Sequence, residues 1–136
     1  MAATAFAQRA PETAHRPPGA TPSVLVVDDE PSIREFLAFV LQDEGFHVQT
    51  AADGEQALEV AREHPPDIVL TDLMMPGCDG YQLIQGLRRH NIPVRAIIAM
   101  SAVHTAAERT PPADLFVAKP FQIEQIIASI RALLSD

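Results

Sequence analysis

Short apolar blocks alternate along the chain with segments in which apolar residues recur at helical spacing, and this alternation constrains the fold most. Blocks so short and so uniformly apolar are typical of strands that a parallel sheet buries on both faces. The predicted strands are residues 24–27, 47–51, 68–70, 94–100 and 115–118, and the predicted helices are residues 31–44, 54–63, 81–89 and 122–135. Strands and helices that alternate in this way predict an α/β fold with a parallel sheet.

Local signals predict where two of the helices begin. Pro31 suits the first turn of a helix, and Ser32 with Glu35 predicts a capping box at the same place. Asp79 is a predicted N-cap for the helix over residues 81–89.

The first 22 residues differ in composition from the remainder. They are rich in Ala and Pro and contain one large apolar side chain, Phe6. Such a segment cannot bury enough apolar surface to offset the entropy of ordering it. We expect residues 1–22 to form a disordered leader, with a partner-binding tail as the alternative, and residues 23–136 to form one domain.

Composition and charge argue against several classes of protein. Of the 136 residues, 47% are hydrophobic and 21% are charged, which is typical of a globular domain. No run of about 18 apolar residues is present, so we predict no membrane-spanning helix. A single cysteine fits a reducing cytoplasm. The net charge of −8 makes a nucleic-acid surface unfavourable, whereas it suits a divalent cation.

Five residues with charged or hydroxyl side chains come directly after predicted strands: Asp28, Asp29, Asp72, Ser101 and Lys119. In open parallel sheets, sites lie beyond the carboxyl ends of the strands, so we expect these side chains to converge. Three carboxylates at close range repel one another unless a cation lies between them, and Mg²⁺ prefers oxygen ligands of this kind. Lys119 is the only lysine in the chain.

Four motifs follow one another between residues 24 and 136: Val-Val-Asp28-Asp29-Glu-Pro, Asp67-Ile-Val-Leu-Thr-Asp72-Leu-Met-Met-Pro-Gly-Cys-Asp-Gly, Ala-Met-Ser101-Ala and Val-Ala-Lys119-Pro-Phe. With these motifs the chain resembles the receiver domain of the two-component response regulator family. The resemblance implies a flavodoxin-like, doubly wound, five-stranded parallel sheet with the strand order 2-1-3-4-5 and helices on both faces.

The resemblance also implies a chemistry for the acidic residues. Asp72 would accept a phosphoryl group from a phosphohistidine of a sensor histidine kinase or a histidine phosphotransfer protein. Asp29, Asp72 and the backbone carbonyl of Met74 would hold Mg²⁺ or Mn²⁺, and Asp28 would act through a metal-bound water. Such a domain is a phosphoacceptor that assists its own phosphorylation and dephosphorylation, and it is not an enzyme with a separate substrate.

Further roles implied by the resemblance concern the last two strands. Ser101 and Lys119 would bind the phosphoryl oxygens. Ser101 and Phe116 would form the switch pair, although phenylalanine lacks the hydroxyl of the tyrosine that the family often has. The bond before Pro120 would be cis.

The leading hypothesis is a stand-alone regulator that relays phosphate or switches its binding to an unknown downstream protein. The end of the chain after the last predicted helix fits either this hypothesis or the detached receiver of a larger regulator, and Met1 with the Ala/Pro-rich leader mildly favours the former. A second alternative is an interaction module that works without phosphorylation, against which the complete acidic, hydroxyl and lysine set argues. A phosphoaspartate hydrolase is rejected, because those enzymes use an Asp-x-Asp pair after the first strand, where this chain has Asp28-Asp29.

One departure from the family pattern lies between the fourth and fifth strands. Lys119 follows Ser101 by 18 positions, fewer than in most members, and Thr110 precedes a proline that disfavours helical geometry. We therefore expect the helix between these strands, the fourth in the family, to be shortened or irregular over residues 103–112. Many members dimerise through this flank, and we expect that mode to be altered or absent here. The less covered flank would then offer apolar surface to a partner protein or to a second copy of the chain, in a homodimer with an altered surface.

Overall fold

The apolar blocks pair into one parallel sheet. The structure, a computed structural model, describes residues 20–74, 80–101 and 113–135. The strands are β1 (Ser23–Val27), β2 (His47–Ala51), β3 (Ile68–Asp72), β4 (Ala96–Ser101) and β5 (Leu115–Ala118), and the helices are α1 (Pro31–Asp43), α2 (Gly54–Glu63), α3 (Gly80–Arg89) and α4 (Ile123–Leu134). The strand order is β2-β1-β3-β4-β5, so the predicted flavodoxin-like α/β fold is confirmed.

The central strands are apolar over most of their length because each of their faces packs into a separate core. Successive side chains of a strand point to opposite faces of the sheet. On one face, Leu25, Val27 and Val69 pack with Ala57, Ala61, Leu83, Ile84 and Leu87 of α2 and α3. On the other face, Val24, Val26, Ile68 and Leu70 pack with Leu37, Leu41, Ile126 and Ile130 of α1 and α4. The sheet is therefore the middle of three layers.

The strand register brings the carboxyl ends of the strands to one edge of the sheet. Val27 of β1 pairs with Thr71 of β3, so Asp28 lies level with Asp72. Ser101 of β4 pairs with Ala118 of β5, immediately before Lys119. The residues predicted to form a site are thus delivered to the same edge.

Strand β4 begins two residues later than the predicted start at residue 94. The backbone N–H groups of Arg95 and Ala96 both donate to the Asp67 carbonyl, at 2.9 and 3.2 Å. Because the ladder with β3 starts at the pair Ile68 and Ala96, Val94 has no opposite residue within β3. It packs instead against one of the hydrophobic cores.

The predicted capping box at the start of α1 is wrong. Glu30 is the N-cap and makes no side-chain capping bond, while Pro31 occupies the first helical turn. Ser32 therefore lies inside the helix, because the fixed φ of proline places Pro31 at the first helical position.

Some predictions concern residues that the structure does not describe. The predicted disordered leader lies almost entirely in residues 1–19, outside the described ranges. The predicted short or irregular fourth helix of the family, over residues 103–112, and the predicted N-cap Asp79 also lie outside them. Pro22, the last residue assigned to the leader, accepts a hydrogen bond from the His47 N–H at 2.9 Å. Among the described helices, none has the length and apolar character needed to cross a membrane.

Candidate functional site

Three carboxylates converge where β1 and β3 end. Asp28 and Asp29 follow β1, and Asp72 is the last residue of β3. One carboxylate oxygen from each of the three residues lies within 4.8 Å of the others. Asp28 and Asp72 are buried, at 0% and 6% exposure, whereas Asp29 is exposed. The convergence expected from the sequence is therefore present in three dimensions.

Lys119 enters this cluster from the end of β5. Its Nζ atom lies 3.5 Å from Asp28 Oδ2 and 3.4 Å from Asp72 Oδ2, and its side chain is 19% exposed. The Lys119 backbone N–H donates to the Ser101 carbonyl at 3.0 Å, which extends the ladder beyond β4 and β5. The Lys119–Pro120 peptide bond is cis. One ammonium group thus faces two buried carboxylates.

Asp28 is held by contacts on each of its polar groups. Its backbone N–H donates to the Ala51 carbonyl at 3.2 Å, and its Oδ1 accepts from the Glu30 N–H at 3.0 Å. Its carbonyl accepts from Nη1 of Arg34 at 2.8 Å. Together with the contact to Lys119, these bonds fix Asp28 in one position.

Asp72 is less well compensated than its burial requires. Its Oδ1 accepts from the Met74 N–H at the long distance of 3.3 Å. Burial raises the pKa of the Asp72 carboxyl above its ordinary value of 3.8, and the neighbouring Asp28 raises it further, against the opposing charge of Lys119. The folded protein therefore holds the Asp72 charge at a cost in free energy.

Gly80, the first residue of α3, packs against the backbone that carries Asp72. A Cβ atom at this position would lie 2.5 Å from the Asp72 carbonyl oxygen and 2.7 Å from Leu73 Cα. The Gly80 N–H also donates to the Leu73 carbonyl at 3.1 Å. Sequence reasoning noted Gly80 only as part of a motif, although a glycine where backbones approach closely is a usual signal.

The remaining predicted residues lie on β4, on β5 and after β3, and they differ in how deeply they are buried. Ser101 ends β4 and is buried, at 8% exposure. Phe116, on β5, pairs with Ala99 of β4, and its ring is 37% exposed. The Met74 side chain is exposed, and the contact of this residue with the cluster is the hydrogen bond from its backbone N–H to Asp72 Oδ1.

The donor set fits a hard divalent cation. Three carboxylates face one ammonium group, so the cluster carries excess negative charge. Carboxylate oxygens are the ligands that Mg²⁺ and Mn²⁺ favour. A cation placed here would relieve the charge that raises the Asp72 pKa.

The sequence matches one family profile over most of its length. The profile is that of the response regulator receiver domain, and it matches residues 24–131. This range includes β2 to β5 in full, β1 from its second residue onward, and the three carboxylates of the cluster.

Two similar proteins come from mycobacteria. The probable transcriptional regulatory protein TcrX of Mycobacterium tuberculosis is 40% identical over 88% of this chain and 52% of its own length. The DNA-binding response regulator MtrA of Mycolicibacterium smegmatis is 41% identical over 82% of this chain and 50% of its own length. The chain thus spans about half the length of these relatives.

Two solved structures have folds similar to that of this chain over most of its length. The response regulator TrrA of Thermotoga maritima, in complex with Mg²⁺-BeF, has a TM-score of 0.77 and 34% identity, covering 84% of this chain and 100% of that one. The chemotaxis protein CheY4 of Vibrio cholerae has a TM-score of 0.77 and 28% identity, covering 85% of this chain and 100% of that one.

Proposed function

The chain belongs to the response regulator receiver domain family, and on that premise we propose that it accepts a phosphoryl group on Asp72. The observation that carries the proposal is the state of this carboxylate. It is buried at the end of β3, its pKa is raised by burial, and the Lys119 ammonium lies 3.4 Å away. A carboxylate that is buried at a cost beside an ammonium group is suited to accept a phosphoryl group, because Lys119 can bind an oxygen of that group.

In the proposed reaction, an Asp72 carboxylate oxygen attacks the phosphorus of a phosphohistidine in line with the leaving nitrogen. An O–P bond forms and the N–P bond breaks, and the electron pair of that bond stays on the imidazole, which takes a proton from water. Lys119 binds one phosphoryl oxygen, and the Ser101 hydroxyl donates to another. Positioning and charge compensation supply most of the catalysis in transfers of this kind.

The proposed reaction also needs a divalent metal ion, and residues of the acidic cluster would bind it. Asp29, Asp72 and the Met74 carbonyl would hold Mg²⁺ or Mn²⁺, with Asp28 acting through a bound water. The ion supplies positive charge that offsets the carboxylates and the phosphoryl oxygens. The acidic cluster and the Mg²⁺-BeF complex of TrrA support this part of the proposal.

The output of the proposed phosphorylation is a change in protein binding. Ser101 would move toward the phosphoryl group, and the partly exposed ring of Phe116 would turn inward. If the free energies of the two states differ by only a few kcal/mol, phosphorylation can shift their populations. The phosphoryl donor would be a cytoplasmic histidine kinase or phosphotransfer protein.

The DNA-binding relatives bear on the expectation that the chain binds no nucleic acid. MtrA is a DNA-binding response regulator, and this chain matches half of it. We therefore restrict that expectation to the receiver domain itself. A receiver that forms part of a larger regulator and a receiver that acts alone are both consistent with the proposed chemistry.

Acetyl phosphate with Mg²⁺, followed by intact-mass spectrometry, tests the proposal. The wild-type protein is expected to gain the mass of one phosphoryl group. Asp72→Asn is expected to gain none, because the amide keeps the shape but lacks the nucleophilic oxygen. Asp43→Asn removes the same charge from an exposed position at the end of α1 and serves as the matched control.

Two results would count against the proposal. Uptake by Asp72→Asn at the wild-type rate would place the phosphoryl group elsewhere. No uptake by the folded wild-type protein would favour the alternative of an interaction module that works without phosphorylation.

A further inference from the structure

We propose that Arg34 is a positioning residue that sets the direction of the Asp29 carboxylate and thereby the affinity of the site for its divalent cation. This inference rests on the proposed function, in which Asp29 is a metal ligand. Arg34 is the fourth residue of α1 and lies outside all the motifs that mark the site. Its Nη1 atom donates to the Asp28 carbonyl at 2.8 Å, and the contact is partly buried.

The two peptide groups on either side of Asp29 are each held by one hydrogen bond. The preceding peptide is held through the Asp28 carbonyl, which accepts from Arg34. The following peptide is held through the Glu30 N–H, which donates to Asp28 Oδ1 at 3.0 Å. Fixing both peptide planes fixes φ and ψ of Asp29, and with them the direction of its Cα–Cβ bond.

Asp29 needs this arrangement more than the other two carboxylates do. Asp28 and Asp72 are buried, so packing and the contacts of Lys119 hold their side chains. Asp29 is exposed, and among the described residues its carboxylate has no hydrogen-bond or ion-pair partner. Its direction therefore depends on the backbone, and one of the two bonds that fix this backbone comes from Arg34.

The Arg34 contact is anchored at its other end by the helix itself. The Arg34 N–H donates to the Glu30 carbonyl at 3.0 Å, the first bond of α1. Leu37, one turn further, is fully buried against the sheet. The guanidinium thus couples a packed helix to the acidic loop that carries Asp29.

A role of Arg34 through its charge and a role through positioning Asp29 predict opposite changes in cation affinity when Arg34 is replaced. If Arg34 acted only through its positive charge, its removal would make the acidic cluster more negative and tighten cation binding. If it positions Asp29, its removal would loosen the loop and weaken cation binding, as loss of a partner that orients a metal ligand usually does. The sign of the change in Kd therefore distinguishes the two roles.

Isothermal titration of the full chain with Mg²⁺ provides the test. Arg34→Met keeps much of the side-chain length without charge or donors, and its Kd for Mg²⁺ is expected to rise about tenfold. Arg34→Lys keeps the charge but not the planar donor fork, and an intermediate Kd is expected. Arg62→Met removes the same charge from an exposed position in the last turn of α2, and its Kd is expected to stay at the wild-type value.

An unchanged or lower Kd in folded Arg34→Met overturns the inference. If Arg34→Met does not fold, Arg34→Lys decides, and a wild-type Kd there overturns it as well. The carbonyl ¹³C shift of Asp28, which reports the lost hydrogen bond, is expected to change in both Arg34 variants. The proposed function and this inference fail by different results. The proposed function fails if the wild-type protein takes up no phosphoryl group. The inference fails if the wild-type protein takes up a phosphoryl group but Arg34→Met binds Mg²⁺ as tightly as wild type.

Discussion

Two buried aspartates mark the ends of β3, Asp67 directly before the strand and Asp72 as its last residue. Their carboxylates differ in how well hydrogen bonds satisfy them. At the amino end, Asp67 Oδ2 accepts from the Ser23 N–H at 2.8 Å and from the Ser23 hydroxyl at 3.4 Å. The Asp67 N–H in turn donates to the Ser23 carbonyl and hydroxyl, at 3.0 and 3.1 Å. At the carboxyl end, Asp72 receives one long backbone bond and shares Lys119 with Asp28.

The comparison separates a structural carboxylate from a chemical one. The Asp67 carboxylate and backbone join β1, β3 and the start of β4, since the Asp67 carbonyl also accepts from Arg95 and Ala96. The pKa of the Asp72 carboxyl is raised because the residue is buried and lies near the carboxylate of Asp28, and its hydrogen-bond and ion-pair partners do not offset these two effects. A buried acid with satisfied partners stabilises the fold, whereas one that is left short of partners is available for reaction.

The largest expected effect is the loss of stability in Asp67→Ala. The substitution leaves the partly buried Ser23 N–H without its charged acceptor, which costs roughly 2–3 kcal/mol of unfolding free energy. Urea denaturation followed by circular dichroism measures this loss, with the exposed Asp43→Ala as the control. Asp67→Asn retains an acceptor oxygen and should lose less. Equal stability of Asp67→Ala and wild type would remove the distinction between the two ends of β3.

The next effect concerns the stabilisation of the wild-type protein by Mg²⁺. A ligand that binds the folded state alone stabilises it by about 1.4 kcal/mol at ten times its Kd. The increase in Tm should be much smaller in Asp72→Asn, which has lost a ligand charge, and should remain in Asp67→Asn. A Tm increase that Asp72→Asn retains in full would place the cation away from Asp72.

Most of the fold was predictable because its elements depend on local pattern. The uniformly apolar strands and the helical stripe of Ile126 and Ile130 in α4 indicate burial directly. The errors lie at element ends, where the deciding contact comes from elsewhere in the chain. Strand β4 begins at Ala96 because of the Asp67 carbonyl, which no pattern near residue 94 reveals.

The convergence of the site was predictable for a topological reason, since parallel strands end at one edge. The roles of its residues came from resemblance, and they remain proposals. Two contributors, Arg34 and Asp67, carried no readable signal of their role, whereas Gly80 carried the signal of a glycine but was noted only as part of a motif. Arg34 occupies an ordinary position in a helix, and its contact with the Asp28 carbonyl depends on how α1 packs on the sheet.

A smaller effect, opposite in sign to that at Asp67, is expected from Asp72→Asn in buffer free of divalent cations. Removing the charge removes both its desolvation and its repulsion by Asp28, the causes of the raised pKa. The variant should gain on the order of 1 kcal/mol, which in a domain of this size raises Tm by about 4 °C. Thermal denaturation at neutral pH measures the gain. A lower Tm in the variant would show that Lys119 compensates Asp72 fully.

The smallest effect is the pH dependence of that difference, and its sign follows from the raised pKa of Asp72. Below the ordinary value of 3.8, Asp72 is protonated in both the folded and the unfolded chain, so its charge costs nothing. As the pH rises, the unfolded chain releases the proton first, and the folded state loses relative stability until the pH passes the raised pKa. The advantage of Asp72→Asn over wild type should therefore be smallest in acid, widen through this window and become constant above it. Paired denaturation curves in cation-free buffer across this range measure the difference, and a gap that narrows with rising pH would contradict the assignment of Asp72 as the undercompensated acid.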